Sequence, residues 1–397
     1  MDWLSDKENG WEKNKNVDIK YNSRIPEYDI AKGIGIILVI IGHTIPSSDY
    51  LHTFIYSFHM PLFFLVSGLV MKNYNKKRSL LEIICGERRL IASYVLYSLL
   101  YIVFDLIIRF VIMRTYGFNA LFWDTYQTVC LFGINVLWFL SALLLAKILT
   151  YSIVQFCSKV LWQLLLGAGL YLFSSILFQS LHIQIENLSA MERILYLPII
   201  TILRAIEMSA FVLCGFAMKN YVERVIKYSR IFIKSFFSFF LLVNVVICFF
   251  TKSVDYHYMN NGIFILSFIM AFSGLFGILG ISILVSNSKV ISMISSFWGM
   301  NSLFVMVTHE YLLLKALTNL GINWLNIKAG TVLYMTLEIL FLTFIEYILC
   351  LLIKQWFELQ IQKLANTVEV IFTSIRIKLI SRRLSSYKNL EEVSDKN

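Results

Sequence analysis

Apolar residues in this chain come in long runs, and the polar residues gather in short interruptions between them. Ten runs can be marked, near 29–46, 51–71, 90–113, 127–146, 160–181, 194–217, 232–251, 262–285, 291–315 and 331–353. Each is long enough, as a helix, to cross the roughly 30 Å hydrocarbon core of a bilayer. The pattern predicts an all-α integral membrane protein, a bundle of about ten transmembrane helices. Composition agrees: 58% of the 397 residues are hydrophobic and 15% charged. The mean hydropathy of +0.70 leaves too little polar surface for a soluble protein.

Charge then orients the bundle, because cytoplasmic loops carry the excess of Lys and Arg. With the N-terminus inside, the inner loops hold Lys72, Lys76, Lys77, Arg78, Arg88 and Arg89, then Lys147 and Lys159. Further inner loops hold Lys219, Arg224, Lys227, Arg230 and Lys234, then Lys289. The outer loops hold little beyond Arg114, Arg193, Lys252 and Lys328, so both termini are expected in the cytoplasm. The chain divides into a polar N-terminal tail (1–28) without signal-peptide features, a membrane domain (29–353) and a C-terminal tail (354–397). That last tail alternates basic and apolar residues as an interfacial helix does, with Trp356 and Phe357 at its start, and ends in a disordered-looking NLEEVSDKN. The net charge of +10 is spread over membrane-flanking loops, which marks topology and not a nucleic-acid surface. The dense stretch from Lys72 to Arg89 has two readings, a holder for a phosphorylated cytosolic ligand or a contact for lipid headgroups. Six scattered cysteines have neither disulfide nor metal spacing, so metal catalysis is not expected.

Polar side chains inside the apolar runs are the candidates for chemistry, since a charge at membrane depth is costly. Lys32 and His43 stand eleven positions apart in DIAKGIGIILVIIGH. On a helix that puts them on nearly one face, roughly 16 Å apart along the axis. His59 and His309 fall at comparable depths in other runs, and the three imidazoles have two readings: walls of one cavity, or separate hydrogen bonds between helices. His52, His182 and His257 fall near outer loops and read as solvated. Asp105 with Arg109, and Arg204 with Glu207, have the spacing of same-helix pairs. Glu338 and Glu346 have no local partner and are expected to face the interior, meeting Lys315 or Arg204. An imidazole can take a proton from a hydroxyl that attacks a carbonyl carbon. A cation at the inner mouth with a base above it suits a coenzyme A thioester.

The segment from Asp29 through Lys32 and Gly33 to Gly42 and His43 resembles the opening motif of the acyltransferase 3 family of integral membrane O-acyltransferases: a basic residue, ten positions, then histidine. FHMPLFFLVSGLVM (58–71), with His59, Pro61, Phe63, Phe64, Ser67 and Gly68, is similar to a second family signature. LWFLSALLL (137–145), with Trp138, resembles a third block. MNSLFVMVTHEYLL (300–313), with Asn301, Ser302 and His309, resembles a fourth, and the blocks stand in family order across 24–353. KGIGIILV and FHMPLFF are most similar to the fucose 4-O-acetylase-like branch. Two departures stand out. Lys32 occupies a position usually held by Arg, which keeps the charge and loses bidentate phosphate binding. In CGERRLIASYVLY, Arg89 matches the second of two basic positions, Gly86 takes the first with Arg88 nearby, and Ser93 replaces a proline.

The resemblance implies transfer of an acyl group, expected to be acetyl, from cytosolic acetyl-coenzyme A to a hydroxyl of a cell-envelope glycan or lipid-linked saccharide. The coenzyme is then a donor substrate, with no tightly bound cofactor. His43 is implied as general base, or as a transient acyl carrier, with His309 and Glu310 orienting or balancing it. Lys32, with Arg88 and Arg89, is implied to hold the coenzyme A end, and His59, Ser67, Trp138 and Asn301 to line the cavity. The expected location is a bacterial plasma membrane, in contact with its lipids. Two rivals share the same features: a saccharide transporter or flippase, and a membrane sensor.

Overall fold

The computed structural model describes residues 24–73, 76–112, 114, 117–228, 231–310, 314–324, 327–328 and 330–394. Most of the expected N-terminal tail lies outside these. The chain begins with α1 (Pro26–Thr44), α2 (Tyr50–Leu69), the short α3 (Leu80–Gly86) and α4 (Arg88–Ile107), which runs on into a π-helical turn at Ile108–Ile112. Helix α5 (Phe118–Val129) precedes a 3-10 turn at Asn135–Leu137, then come α6 (Trp138–Val154), α7 (Val160–Ser180) and the long α8 (Ala190–Tyr228). The remainder is α9 (Ile231–Cys248), α10 (Phe264–Val285), α11 (Lys289–Thr308), α12 (Leu314–Trp324), α13 (Val332–Leu352) and α14 (Lys354–Ser394). Among the described residues the sole β feature is an isolated bridge between Asp255 and Asn260.

Among the described residues, seven segments are long and apolar enough to cross a membrane, those containing α4, α6, α7, α8, α10, α11 and α13. The other three expected spans correspond to α1, α2 and α9. Helix α1 carries Glu27, Asp29 and Lys32; α2 carries His52, His59 and Pro61; in α9 the described side chains begin at Ser235, and Ser235–Cys248 is apolar. The fourth expected run is displaced, since 127–146 straddles a break and its helix starts only after Ile134. Leu131, Gly133 and Asn135 all have positive φ there (59°, 84° and 47°). A Cβ on Gly133 would also stand 2.4 Å from the Trp138 backbone nitrogen, so only glycine permits this fold-back.

Helix α2 is central and packs against α1, α8, α9 and α10. Helix α1 lies along α11, and glycines set their separation. A Cβ on Gly33 would fall 1.9 Å from the Ser295 carbonyl oxygen, and one on Gly299 would fall 1.8 Å from that of Asp29. Small residues let membrane helices approach at backbone distance, which gains van der Waals contact where lipid offers no hydrophobic drive. The C-terminal ends of the same two helices bring His43 beside His309. The C-terminal tail is helical through Ser394, beyond the point where its sequence reads as disordered. Its start packs on α4, with Phe357 stacked on Tyr97 at 5.6 Å and Ile361 and Ala365 buried.

Candidate active site

His43 occupies the last turn of α1, His309 caps α11 and Glu310 follows it. The imidazole centroids of His43 and His309 are 5.0 Å apart, and His43 Nδ1 stands 3.8 Å from Glu310 Oε1. His309 is wholly buried; its Nδ1–H donates to the Val305 carbonyl at 2.9 Å, since a carbonyl can only accept. That fixes the tautomer and leaves Nε2 as a buried lone pair without a hydrogen-bond partner. His59 is held in the same way by the Ile55 carbonyl at 2.9 Å. Tyr56 stands between the two sides, 4.7 Å from His59 and 6.1 Å from His43 by ring centroids. The three histidines of the sequence analysis therefore converge. His43, His59 and Glu310 line one cavity, and His309 packs against His43 from α11.

That cavity has a volume of about 550 Å³. Helices supply one wall; the other comes from Trp123 and Gln127 of α5, the turn from Phe132 to Trp138, Arg193, and the loop Asp255–Tyr258. Arg204, wholly buried in α8, fastens two of these loops. It donates from Nη2 to the Phe132 carbonyl at 2.5 Å and from Nη1 to the His257 carbonyl at 3.0 Å. Its guanidinium also lies over the rings of Phe132 and Trp138, at 4.7 and 5.2 Å. His257 is consequently no solvated loop residue: it is half-buried and stacked on Trp138 (5.4 Å between centroids, 6° between planes). Burial, reinforced by the Arg204 charge, pushes its pKa well below the ordinary histidine value. Sequence reasoning missed Arg204 and His257 because their role depends on which loops fold over the cavity.

The expected pair of Arg204 with Glu207 is replaced by a different arrangement, in which Glu207 accepts from Asn261 Nδ2 at 2.5 Å. Asp105 and Arg109 do pair. Glu346 is buried as expected, but its partner is the Thr308 hydroxyl at 2.9 Å, and Arg204 is turned to carbonyls. Glu338 is also buried. Lys315 lies among residues whose side chains are not described.

The remaining candidates sit elsewhere. Lys32, at the other end of α1, bridges to Asp29 at 2.8 Å, and Asp29 also pairs with Arg24. Arg88 pairs with Glu369 at 3.1 Å and Arg89 with Glu358 at 2.5 Å, both on α14; Arg376 of α14 returns to Glu82 at 2.7 Å. A basic cavity of about 350 Å³ is lined by Lys72, Lys76 and Arg78 with Gln155, Gln163 and Asn220, and by none of Lys32, Arg88 and Arg89. Asn301 accepts from Lys354 Nζ at 2.6 Å and so ties α11 to the start of α14. Neither Asn301 nor Ser67 lines the His43 cavity, whereas Trp138 and His59 do.

A helical bundle with a histidine–carboxylate pair opening on a cavity is a site equipped for proton transfer, and the comparison with known families gives it a class. A family model described as an acyltransferase domain, acyltransferase 3, matches residues 25–367, and the chain belongs to that family. With its seven long apolar helices it is a multi-pass membrane acyltransferase. No curated protein and no solved structure matches the chain.

Proposed function

We propose that this protein transfers an acetyl group from cytosolic acetyl-coenzyme A to a hydroxyl of a cell-envelope saccharide, with His43 as general base. The observation that carries the reading is His43 on the wall of a cavity, with Glu310 3.8 Å behind one ring nitrogen. A carboxylate at this distance stabilises by its charge the imidazolium that forms. The acceptor hydroxyl gives its proton to the other ring nitrogen of His43 as its oxygen attacks the thioester carbonyl. The tetrahedral intermediate collapses with cleavage of the carbon–sulfur bond, and the imidazolium returns the proton to the departing thiolate. The products are the O-acetyl ester and free coenzyme A.

Several observations support the finer parts of this reading. Trp138, Tyr56 and Tyr258 give the cavity the aromatic faces that saccharides pack against. The wording of KGIGIILV and FHMPLFF favours the saccharide-acetylating branch. Helices α1, α2 and α9 are close in length to the seven long apolar helices and pack against them, which favours ten crossings with cytoplasmic termini. In that orientation the Lys and Arg excess is inside, the His43 cavity opens outward, and Lys32 with the basic cavity faces the donor. The membrane is then a plasma membrane, and the acetyl group crosses while the coenzyme stays inside.

Membranes containing the protein, given acetyl-labelled coenzyme A and saccharide from an envelope that lacks the modification, should place label on the saccharide. His43→Ala should lower the rate by about 10³-fold, within the range general bases supply. Label that never reaches the saccharide, or a His43→Ala rate equal to that of the parent, overturns the reading in favour of a transporter or sensor.

A further inference from the structure

The His43 cavity has a neighbour on the same side of the molecule. A second cavity of about 630 Å³ lies between the C-terminal end of α7 and the loop that follows Tyr256. The two share part of their walls, since Ile185 and Tyr258 line both. The partition between them is a tight hairpin. Asp255 and Asn260 exchange backbone hydrogen bonds at 2.9 and 2.8 Å, and Asp255 Oδ1 accepts from the backbone N–H groups of His257 and Tyr258 at 2.9 and 3.3 Å. Residues Asp255–Tyr258 face the first cavity, and Tyr258–Gly262 face the second.

The chemistry of the two linings differs. Arg193, Asp255 and Glu310 line the first. Among the described side chains no Lys, Arg, Asp or Glu lines the second, which carries His182 and the amides Gln179, Gln184, Asn187, Asn260 and Asn261. An amide offers two donors and an acceptor, which matches hydroxyls that both give and accept. Charged ligands, by contrast, are usually met by opposite charge. Asn261 is 3% exposed, and while its Nδ2 donates to Ser175 and Glu207, its Oδ1 is buried without a partner.

We propose that this second cavity is a subsite for the sugar units adjoining the one acetylated, so that the acceptor is a glycan of several residues and not a single sugar. The chain of sugars lies across Tyr258, with the reacting hydroxyl beside His43 and its neighbours among the amides. This rests on the acyl-transfer reading above, and the test separates the two.

Saccharide released from an envelope that lacks the modification is sized into fragments of one repeat and of several. The full protein in membranes is assayed for acetyl transfer to each, and the labelled long fragment is measured for retention by equilibrium dialysis. The long fragment is expected to have a KM about tenfold lower than the short one. Asn187→Trp, which fills the cavity from an exposed position, should bring the ratio of the two KM values close to one. Equal KM values for both fragments in the parent, or a ratio unchanged in Asn187→Trp, overturns the subsite while the acyl-transfer reading stands. Retention of the long fragment that Asn187→Trp abolishes, without transfer to either, keeps the subsite and overturns the acyl-transfer reading. Absence of both retention and transfer overturns the subsite as well.

Discussion

The two ends of the α1–α11 seam treat their polar groups in opposite ways. At one end His43 and Glu310 open on a cavity, and His309 keeps a buried nitrogen without a partner. At the other end charge meets charge, Lys32 and Arg24 with Asp29, and off the seam Lys147 pairs with Glu87 and Arg88, Arg89 and Arg376 pair with acids across the α14 contact. One-to-one pairs of this kind hold elements together and leave little field for a ligand, whereas an imidazole or a carboxylate facing a cavity is available to one. On the proposed function, the difference teaches that the seam mounts the reacting groups at one end and ion pairs at the other.

The strongest way to break the comparison is to disturb the mount and leave both ends intact. Gly299→Ala places a methyl carbon 1.8 Å from the Asp29 carbonyl oxygen, so α1 and α11 must part. A displacement of about 1 Å at reacting groups costs on the order of 10²-fold, and kcat for acetyl transfer should fall by about that factor. A kcat within twofold of the parent means that the His43–Glu310 geometry is fixed by something other than this seam. The loop wall offers a smaller and more selective change. Arg204→Lys keeps the charge but cannot reach two carbonyls with the same planar fork. Losing one such bond costs about 1.5 kcal/mol, or about tenfold. That factor should appear in the KM for the acceptor, with the donor KM unchanged. A loss confined to kcat would show that the arginine positions His43 and not the wall.

Much of this division was legible in the sequence, for particular physical reasons. His43 and His59 stood out because they interrupt or edge long apolar runs, where every polar group needs an account, and Trp138 and Glu310 came from the resemblance to the family blocks. Helices α7 to α11 and α13 begin close to where the runs do, since length and hydropathy alone fix them. The fourth run misled because apolar residues continue through Cys130–Ile134, and only the φ values at Leu131, Gly133 and Asn135 show the chain turning there. Arg204 looked like half of an ion pair with Glu207, and same-helix spacing cannot reveal that two loop carbonyls arrive first. His257 looked solvated for the same reason: one-dimensional pattern gives depth in the membrane, and it does not say which loop closes over which helix end. The pairing of Arg88 and Arg89 with α14 belongs to this class too, because their partners lie more than two hundred residues away.

The smallest expected effect sharpens the anchored end. Lys32, Arg88 and Arg89 were all candidates for the coenzyme A end, and all three are in ion pairs. They differ in what surrounds the pair. Lys32 shares a largely buried Asp29 with Arg24, so two cations meet one carboxylate and net positive charge remains for a phosphate. Arg88 and Arg89 each face one exposed acid, which cancels them, and exposed pairs contribute about 0–1 kcal/mol. Lys32→Met should therefore raise the KM for acetyl-coenzyme A by about fivefold, less than the loss of a fully committed phosphate contact. Arg88→Ala and Arg89→Ala should leave it within about twofold and loosen α14, read as faster proteolysis beyond Lys354. A donor KM that moves with Arg88 or Arg89 and not with Lys32 would reverse the assignment. It would mean that α14 swings away when the donor binds and frees those guanidinium groups, and that the anchored end is itself a site.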